Sequence, residues 1–228
     1  MMKNRGDFEV FLEPFGNSAY YSGESILALK TDEKIESNPE YNCQVIVQKL
    51  VSTSKEKNVF IKDFPLHFND IVDNEFLSFF QNTFLIRDPA QMLPSYIHKW
   101  PNLTFEETSY RQLYQLFNRV VEFTGQIPPL IDADDLIRDP ESIIRIFCEQ
   151  VNIPFKPEAL RWESPGKNVK EMCWWDKGSW HDRLSTTEGF SEQVRPDYLT
   201  IDDSKQLSDL YKMCLPYTIF QNSCHRWP

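Results

Sequence analysis

Short apolar segments alternate along the chain with longer segments in which apolar residues recur every three to four positions. The short segments are typical of strands, and the longer ones are typical of helices that bury one face. We predict strands at residues 8–11, 59–64, 83–86 and 130–132, and helices at 41–52, 70–80, 104–123, 140–151 and 202–214. Strands that alternate with helices indicate an α/β fold in which helices cover a parallel sheet.

Several residues mark where these helices begin and end. Gly6 follows Lys3 and Arg5 as a C-terminal cap follows the last turn of a helix. Thr104 is the predicted N-cap of the helix at 104–123, with acidic residues in its first turn. A further helix should start after Arg87, and Pro94 in its interior should kink it.

The pentapeptide Leu-Ile-Arg-Asp-Pro occurs twice, at residues 85–89 and 136–140. In each copy Asp can cap a helix and Pro fits the first helical position. The eighth residue after the arginine is Ser95 in the first copy and Ile146 in the second. Ser95 lies about two helical turns, or roughly 10 Å, beyond the cap, where it could bind a phosphate together with Arg87. The first copy is therefore a candidate anion site, or else a plain cap with Arg87 in a surface ion pair, and the second copy is a plain helix start.

Length and charge narrow the classes of protein. The 228 residues suffice for one core, so a single domain spanning 1–228 is expected. A net charge of -10 disfavours nonspecific binding to nucleic acid or to an anionic membrane. Since neither a membrane span nor the apolar core of a signal peptide is present, we expect a cytoplasmic protein.

The five cysteines are widely spaced and include no Cys-x-x-Cys pair. This pattern favours reduced thiols over a disulfide framework or a zinc site. We therefore predict no metal. A nucleotide kinase is also disfavoured, because the sequence lacks a Gly-rich loop that ends in Lys-(Ser/Thr).

Three segments together resemble the sulfotransferase family, and the resemblance covers about residues 59–190. The segment 84–96, with its strand, Arg-Asp-Pro and Ser95, resembles the motif that binds the 3′-phosphate of 3′-phosphoadenosine 5′-phosphosulfate. Residues 134–141, continued by 152–155, look like the Glu-Asp-Leu and Asp-Pro segment of that family. Residues 177–181, Lys-Gly-Ser-Trp-His, are similar to the region that closes over the nucleotide. The opening at 8–16 looks like the divergent bacterial and invertebrate branch.

The resemblance implies a three-layer fold of the P-loop NTPase type and transfer of a sulfuryl group from 3′-phosphoadenosine 5′-phosphosulfate. The acceptor would be a hydroxyl or an amine of a small molecule, and no metal would be needed. Arg87 and Ser95 would bind the 3′-phosphate, with help from Lys177 and Gly178. This assignment is physically sensible, because arginine supplies both charge and a forked pair of donors to a phosphate.

The chain departs from the family pattern at its beginning. The family's first strand, and the Pro-(Lys/Arg)-Ser-x-(Ser/Thr)-Thr loop that binds the 5′-phosphosulfate, have no counterpart before Phe8. We therefore expect a domain truncated at its N-terminus relative to the family. The chain is either a sulfotransferase or the larger part of one, or it is noncatalytic: a descendant that keeps the 3′-phosphate site or the fold alone and acts by binding a partner, or an inactive fragment.

A second departure concerns the general base. Where the cytosolic enzymes have Lys-Thr-His-Leu-Pro, residues 62–65 read Lys-Asp-Phe-Pro, so Phe64 occupies the usual base position. His67 could accept the proton instead, as could the carboxylate of Glu13 or Asp63, and Lys62 could neutralise charge on the bridging oxygen. A structural role for His67 is the alternative.

Overall fold

The computed structural model of the chain describes residues 1–21, 38–68, 71–162, 187–190 and 199–219. The chain divides into two compact units, Met1–Phe80 with Lys156–Phe190 and Gln81–Phe155 with Ser191–Pro228. Each unit contains a two-stranded parallel sheet together with helices. The predicted α/β class with parallel strands is therefore confirmed, whereas the single domain spanning 1–228 and the P-loop character of the fold stay predictions.

The sheet of the first unit consists of β1 (Glu9–Leu12) and β2 (Val59–Lys62). The strands run parallel, with Glu9 opposite Val59 and Leu12 opposite Lys62. Both strands were predicted from their apolar residues, and both end close to the predicted positions. Their carboxyl ends meet at one edge of the sheet.

Two helices of the first unit begin where a side chain caps them. Asn42 accepts a hydrogen bond from the Gln44 amide at 2.9 Å, and Asp73 accepts one from the Phe76 amide at 2.8 Å. Because of these caps, the two predicted helices begin at 43 and 74 rather than at 41 and 70. The helices are α1 (Pro14–Tyr21), α2 (Cys43–Ser54), α3 (Pro65–Phe68) and α4 (Asn74–Ser78), with 3₁₀ turns at Met2–Arg5, Pro39–Tyr41 and Pro157–Leu160. Gly6 closes the first 3₁₀ turn with φ of 73°, as predicted for a C-terminal cap.

Phe15 is at the centre of the first unit and has no exposed surface. Its ring packs against Phe68 and Phe76, with centroids 5.3 and 5.6 Å apart. Burying one such ring stabilises the fold by about 2–3 kcal/mol. This packing holds the start of α1 against α3 and α4.

The sheet of the second unit consists of β3 (Phe84–Ile86) and β4 (Leu130–Asp132), again parallel. Phe84 lies opposite Leu130, and Ile86 lies opposite Asp132. Both strands are confirmed within one residue of their predicted bounds. Phe84 and Ile86 are buried while Leu85 between them is 57% exposed, as expected for side chains that alternate across a strand.

The helices of the second unit correspond to predicted helices, except that the helix at Ala133–Arg138 was not predicted. Pro94 lies inside the helix that follows Arg87, and this helix continues through it to Lys99. The helices are α5 (Pro89–Lys99), α6 (Tyr110–Thr124), α7 (Ala133–Arg138), α8 (Pro140–Gln150) and α9 (Lys205–Cys214), with 3₁₀ turns at Glu106–Thr108 and Leu215–Tyr217. Among the helices that the described residues form, none is both long and apolar enough to cross a membrane.

The predicted start of the helix at 104–123 is wrong. Thr104 donates from its amide and its hydroxyl to the Glu107 carboxylate, at 2.8 and 2.9 Å, and precedes a 3₁₀ turn rather than α6. Ser109 then adopts a left-handed conformation with φ of 64°, which interrupts the helical path. The α-helix begins only at Tyr110.

A buried cluster joins α5 to α9 in the second unit. Leu93 and Leu207 have no exposed surface and lie at its centre. The other members are Leu103, Phe105, Tyr110, Leu210 and Cys214. The cluster therefore anchors α5 through its buried face, and Arg87 lies two residues before the first residue of this helix.

Candidate functional site

Charged residues follow both strands of the first unit at the carboxyl edge of its sheet. Glu13 comes directly after β1, and Lys62 is the last residue of β2. The Glu13 amide donates to the Lys62 carbonyl at 2.6 Å, so the two backbones stay in register one residue beyond β1. Ligands of parallel α/β sheets bind beyond this edge, because the connections there can present side chains to a common space.

Glu13 and Lys62 form an ion pair at this edge. The Glu13 Oε1 accepts a hydrogen bond from the Lys62 Nζ. Only 8% of the Glu13 side chain is exposed, compared with 43% of the Lys62 side chain. Glu13 has a positive φ of 48°, which non-glycine residues adopt rarely and at an energetic cost. The turn into α1 thus holds the carboxylate inside while the ammonium group reaches the surface.

Phe64 has a role that the sequence did not predict. The Lys62 Nζ lies 3.8 Å from the centroid of the Phe64 ring, which is a favourable cation–π distance. Phe64 therefore contacts the ammonium group through the face of its ring. Lys62 is held between a carboxylate and an aromatic face.

Asp63 and His67 form a second pair beside the first. The His67 Nδ1 lies 2.6 Å from the Asp63 Oδ1, and the side chains of both residues are buried. The Asp63 carboxylate also accepts hydrogen bonds from the amides of Phe64, at 2.7 Å, and Phe15, at 2.8 Å. Because amides only donate, we assign the carboxylate as acceptor and the His67 Nδ1 as donor. The His67 Nε2 is then the nitrogen that can accept a proton.

Several contacts of the described residues fix the position of His67. The Asp63 oxygens are occupied by two amides and an imidazole, so Asp63 holds His67 in place. Edge-to-face contacts with Tyr20, at 5.6 Å, and Phe64, at 5.7 Å, further hold the His67 ring. Glu13, Lys62 and His67 thus belong to one cluster, linked through Asp63 and Phe64.

The second unit carries the other predicted residues at the carboxyl end of β3. Arg87 follows β3 directly, and Asp88 caps α5 by accepting a hydrogen bond from the Ala90 amide at 2.8 Å. Pro89 occupies the first helical position. The predicted cap is confirmed. Arg87 and Ser95 are both half-buried.

The Arg87 backbone has a partner that the sequence did not reveal. The Tyr110 hydroxyl donates to the Arg87 carbonyl at 2.6 Å. Burial raises the pKa of Tyr110 well above its usual range, so the hydroxyl keeps its proton and remains a donor. The two residues are 23 positions apart in sequence. No local pattern could have indicated this contact.

The second copy of the pentapeptide has a structural role, as predicted. Asp139 caps α8 by accepting a hydrogen bond from the Ser142 amide at 3.2 Å. The Arg138 side chain is 69% exposed and pairs with Asp135, three residues earlier, at 2.8 Å. Arg138 is therefore a surface residue of α7.

The remaining predicted residues, Lys177 and Gly178, lie outside the described residues. The roles assigned to Glu13, Lys62, His67, Arg87 and Ser95 stay predictions, although the cluster in the first unit is now defined by its geometry. Within the part of the chain that the structure describes, no three side chains of His, Cys, Asp or Glu are grouped so that they could hold a metal ion.

Comparisons with known proteins agree with the resemblance in the sequence. The model of a family described as a sulfotransferase domain matches residues 1–220. The chain is similar to branched-chain-amino-acid aminotransferase-like protein 2 of Arabidopsis thaliana, with 30% identity over 226 residues, which is 97% of the chain and 38% of that protein. It is also similar to branched-chain-amino-acid aminotransferase-like protein 1 of Arabidopsis thaliana, with 32% identity over 120 residues, or 52% of the chain and 20% of that protein. The chain thus spans well under half the length of these curated relatives. No solved structure matches it.

Proposed function

Because the chain belongs to the sulfotransferase domain family, we propose that it transfers a sulfuryl group from 3′-phosphoadenosine 5′-phosphosulfate to a hydroxyl or amine of a small acceptor. The observation that carries this proposal is the cluster at the carboxyl end of β1 and β2. There an oriented imidazole, His67, is grouped with a half-exposed ammonium group, Lys62. A general base can accept the proton of the acceptor, and a cation can stabilise charge that develops on the leaving group.

In the proposed reaction, the acceptor oxygen or nitrogen attacks the sulfur in line with the bond to the 5′-phosphate. That bond breaks, and its electron pair stays on the bridging oxygen of the leaving phosphate. The His67 Nε2 accepts the proton of the acceptor, while Asp63 holds the imidazole through Nδ1. Lys62 neutralises the charge that develops on the bridging oxygen.

Glu13 has a supporting role in this proposal. Its buried carboxylate holds the Lys62 ammonium group at the edge of the sheet, where the exposed part of the lysine can meet an anion. The Phe64 ring limits the remaining freedom of the same group. Because the ammonium group is already held in position, it loses little conformational freedom when the phosphosulfate binds. It can therefore stabilise the charge of the transition state more strongly.

A separate proposal concerns the 3′-phosphate, and it involves only residues of the second unit. Arg87 leaves β3 just before the capped N-terminus of α5, and Ser95 lies on the same helix. Helix N-termini attract anions, and arginine binds phosphate through two parallel donors. The 5′-phosphosulfate is assigned to no described residue, so nucleotide binding is the first property to test.

Binding can be tested with adenosine 3′,5′-bisphosphate in a thermal-shift titration. At a hundred times its dissociation constant, this ligand should stabilise the wild-type protein by about 2.7 kcal/mol. Arg87→Ala should remove most of the shift. Arg138→Ala is the matched control, because it alters the same pentapeptide at an exposed position and should leave the shift unchanged. No shift in the wild type, or equal shifts in both variants, would contradict the assignment.

Transfer can be tested with radiolabelled donor and a panel of phenols, alcohols and amines. His67→Gln should lower the rate by about 10²–10⁴-fold, the usual contribution of a general base. Lys62→Met should also lower it, whereas Lys57→Met should not. Lys57 is the control because it forms an exposed ion pair with Glu9, at the amino end of the same strand pair. Equal activity of the wild type and His67→Gln would exclude His67 as the base.

A second function, nucleotide binding without transfer, is favoured by one observation. Only 6% of the His67 side chain is exposed, and an aromatic residue occupies the usual base position. A protein of this kind would bind adenosine 3′,5′-bisphosphate through Arg87 and would transfer no sulfuryl group to any member of the panel. The two assays together therefore distinguish the two functions.

A further inference from the structure

The hydrogen bond from Tyr110 to the Arg87 carbonyl joins the interior of the second unit to its proposed phosphate contact. Arg87 lies between the last residue of β3 and the cap of α5. The first amides of α5 that bond along the helix, those of Gln91 and Met92, donate to the Asp88 carbonyl. The Arg87 carbonyl is thus outside the helical ladder, and Tyr110 supplies its donor.

Tyr110 is itself held in place by its surroundings. The residue is 5% exposed and belongs to the buried cluster that contains Leu93 and Leu207. Leu93 is part of α5, so the ring belongs to the same buried cluster as the helix that follows Arg87. Close packing leaves a buried ring little freedom to move. The hydroxyl therefore marks a defined point to which the Arg87 backbone is attached.

We propose that Tyr110 is a positioning residue for the 3′-phosphate contact, acting through the backbone of Arg87. This inference rests on the proposed function of Arg87. A guanidinium group lies several bonds from its own backbone, so a small rotation at the strand-to-helix junction displaces it by a larger distance. Bidentate binding of phosphate requires both donors in place at once. Fixing the carbonyl fixes the direction in which the side chain leaves the junction.

A merely structural role for Tyr110 makes a different prediction. Loss of its hydroxyl would then lower the stability of the second unit and would weaken the binding of all nucleotides by the same factor. If Tyr110 positions Arg87, loss of the hydroxyl should weaken the binding only of ligands that carry a 3′-phosphate. The ratio of the dissociation constants of adenosine 5′-monophosphate and adenosine 3′,5′-bisphosphate separates the two roles.

The test is to measure both dissociation constants by calorimetry for the wild type, Tyr110→Phe and Tyr211→Phe. Tyr110→Phe keeps the ring and should weaken the bisphosphate by about fivefold, the effect of one neutral hydrogen bond, with the monophosphate unchanged. Tyr211 packs against the same cluster, and Tyr211→Phe leaves the contact with Arg87 intact, so both constants should stay as in the wild type. Tyr110→Met replaces the ring with a smaller, flexible apolar side chain that also lacks a hydroxyl, and it should reproduce the loss if Tyr110→Phe does not fold.

The double variant Arg87→Ala/Tyr110→Phe completes the test. If Tyr110 acts through Arg87, the second substitution should cause no further loss of bisphosphate binding. The inference would be overturned if the ratio of the two dissociation constants is unchanged in Tyr110→Phe, or if the losses of bisphosphate affinity add in the double variant. Either result would leave the proposed function of Arg87 intact. A wild-type protein that binds both nucleotides equally would overturn the 3′-phosphate site itself and this inference with it.

Discussion

Two copies of Leu-Ile-Arg-Asp-Pro, at 85–89 and 136–140, end in the same helix cap but begin in different secondary structure. In the first copy, the leucine and isoleucine belong to β3. In the second copy, the same two residue types lie in α7. The aspartate and proline act alike because a cap needs only amides two or three residues away. The preceding residues differ because β3 pairs with β4, whereas α7 starts from the cap of Asp132.

The two arginines differ for a related reason. Arg87 follows a strand with one buried face, is half-buried, and its carbonyl accepts a hydrogen bond from Tyr110. Arg138 ends a surface helix and pairs with Asp135. Identical neighbours in sequence thus give one residue a place beside the core and the other a place in solvent. A motif of this kind specifies a helix start, and its surroundings decide whether the arginine can serve as a binding group.

The largest effect is expected from truncating a buried side chain in α5 and in α8, the helices that follow the two caps. These variants test whether both helices are equally anchored. Leu93 and Ile144 each lie six residues after their arginine, and they are 0% and 4% exposed. Leu93→Ala and Ile144→Ala should each lower the free energy of unfolding by about 2–5 kcal/mol. Urea denaturation measures this, with Leu215→Ala, at a residue 42% exposed, as a control expected to change stability by less than about 0.5 kcal/mol. A large loss in only one helix would show that the copies differ in packing as well as in chemistry.

A somewhat smaller effect should separate the copies by function. Ser95 and Ile146 each lie eight residues after their arginine, and both are half-buried. Ser95→Ala should weaken adenosine 3′,5′-bisphosphate by about 1.5–3 kcal/mol, or roughly ten- to a hundredfold, because a hydrogen bond to a charged group is lost. Ile146→Ala should leave the dissociation constant unchanged. Equal affinities of both variants in calorimetry would remove Ser95 from the proposed site.

The smallest effect concerns the caps that the copies share. Asp88→Ala should lower the free energy of unfolding by about 1 kcal/mol, and Asp139→Ala should act in the same direction. Hydrogen bonds from Ser142 lower the pKa of Asp139 below its usual value of 3.8. The pKa of Asp139 is therefore lower in the folded state than in the unfolded state. At a pH above the pKa of the unfolded state, the ionised cap stabilises the fold, and this stabilisation is lost as the pH falls through the pKa of the folded state.

The pH dependence provides the control for this comparison. The difference in stability between the wild type and Asp139→Ala should be present at neutral pH and should shrink well below pH 3.8. Thermal melts at both pH values measure it. A difference that persists unchanged in acid would mean that the Asp139 side chain stabilises α8 by packing rather than by its charge.

Local signals in the sequence were sufficient to predict many elements of the fold. The four strands, the two Asp-Pro helix starts and the Gly6 cap follow from residues that act on neighbours within about four positions. The helix at 104–123 was predicted from the same kind of signal but was placed too early. The left-handed conformation of Ser109 interrupts it. Serine at this position does not predict such a conformation, which glycine, asparagine and aspartate adopt more readily.

The sequence by itself determined the family resemblance, the alternation of strands and helices, and the residues that carry charge at the ends of the strands. Only the tertiary structure decided how those residues are used. Asp63 accepts a hydrogen bond from the Phe15 amide, 48 positions away in sequence, and also contacts His67. The Tyr110 hydroxyl donates to the Arg87 carbonyl, 23 positions away. Contacts over such separations depend on how strands pair and helices pack, and no pattern of neighbouring residues encodes them.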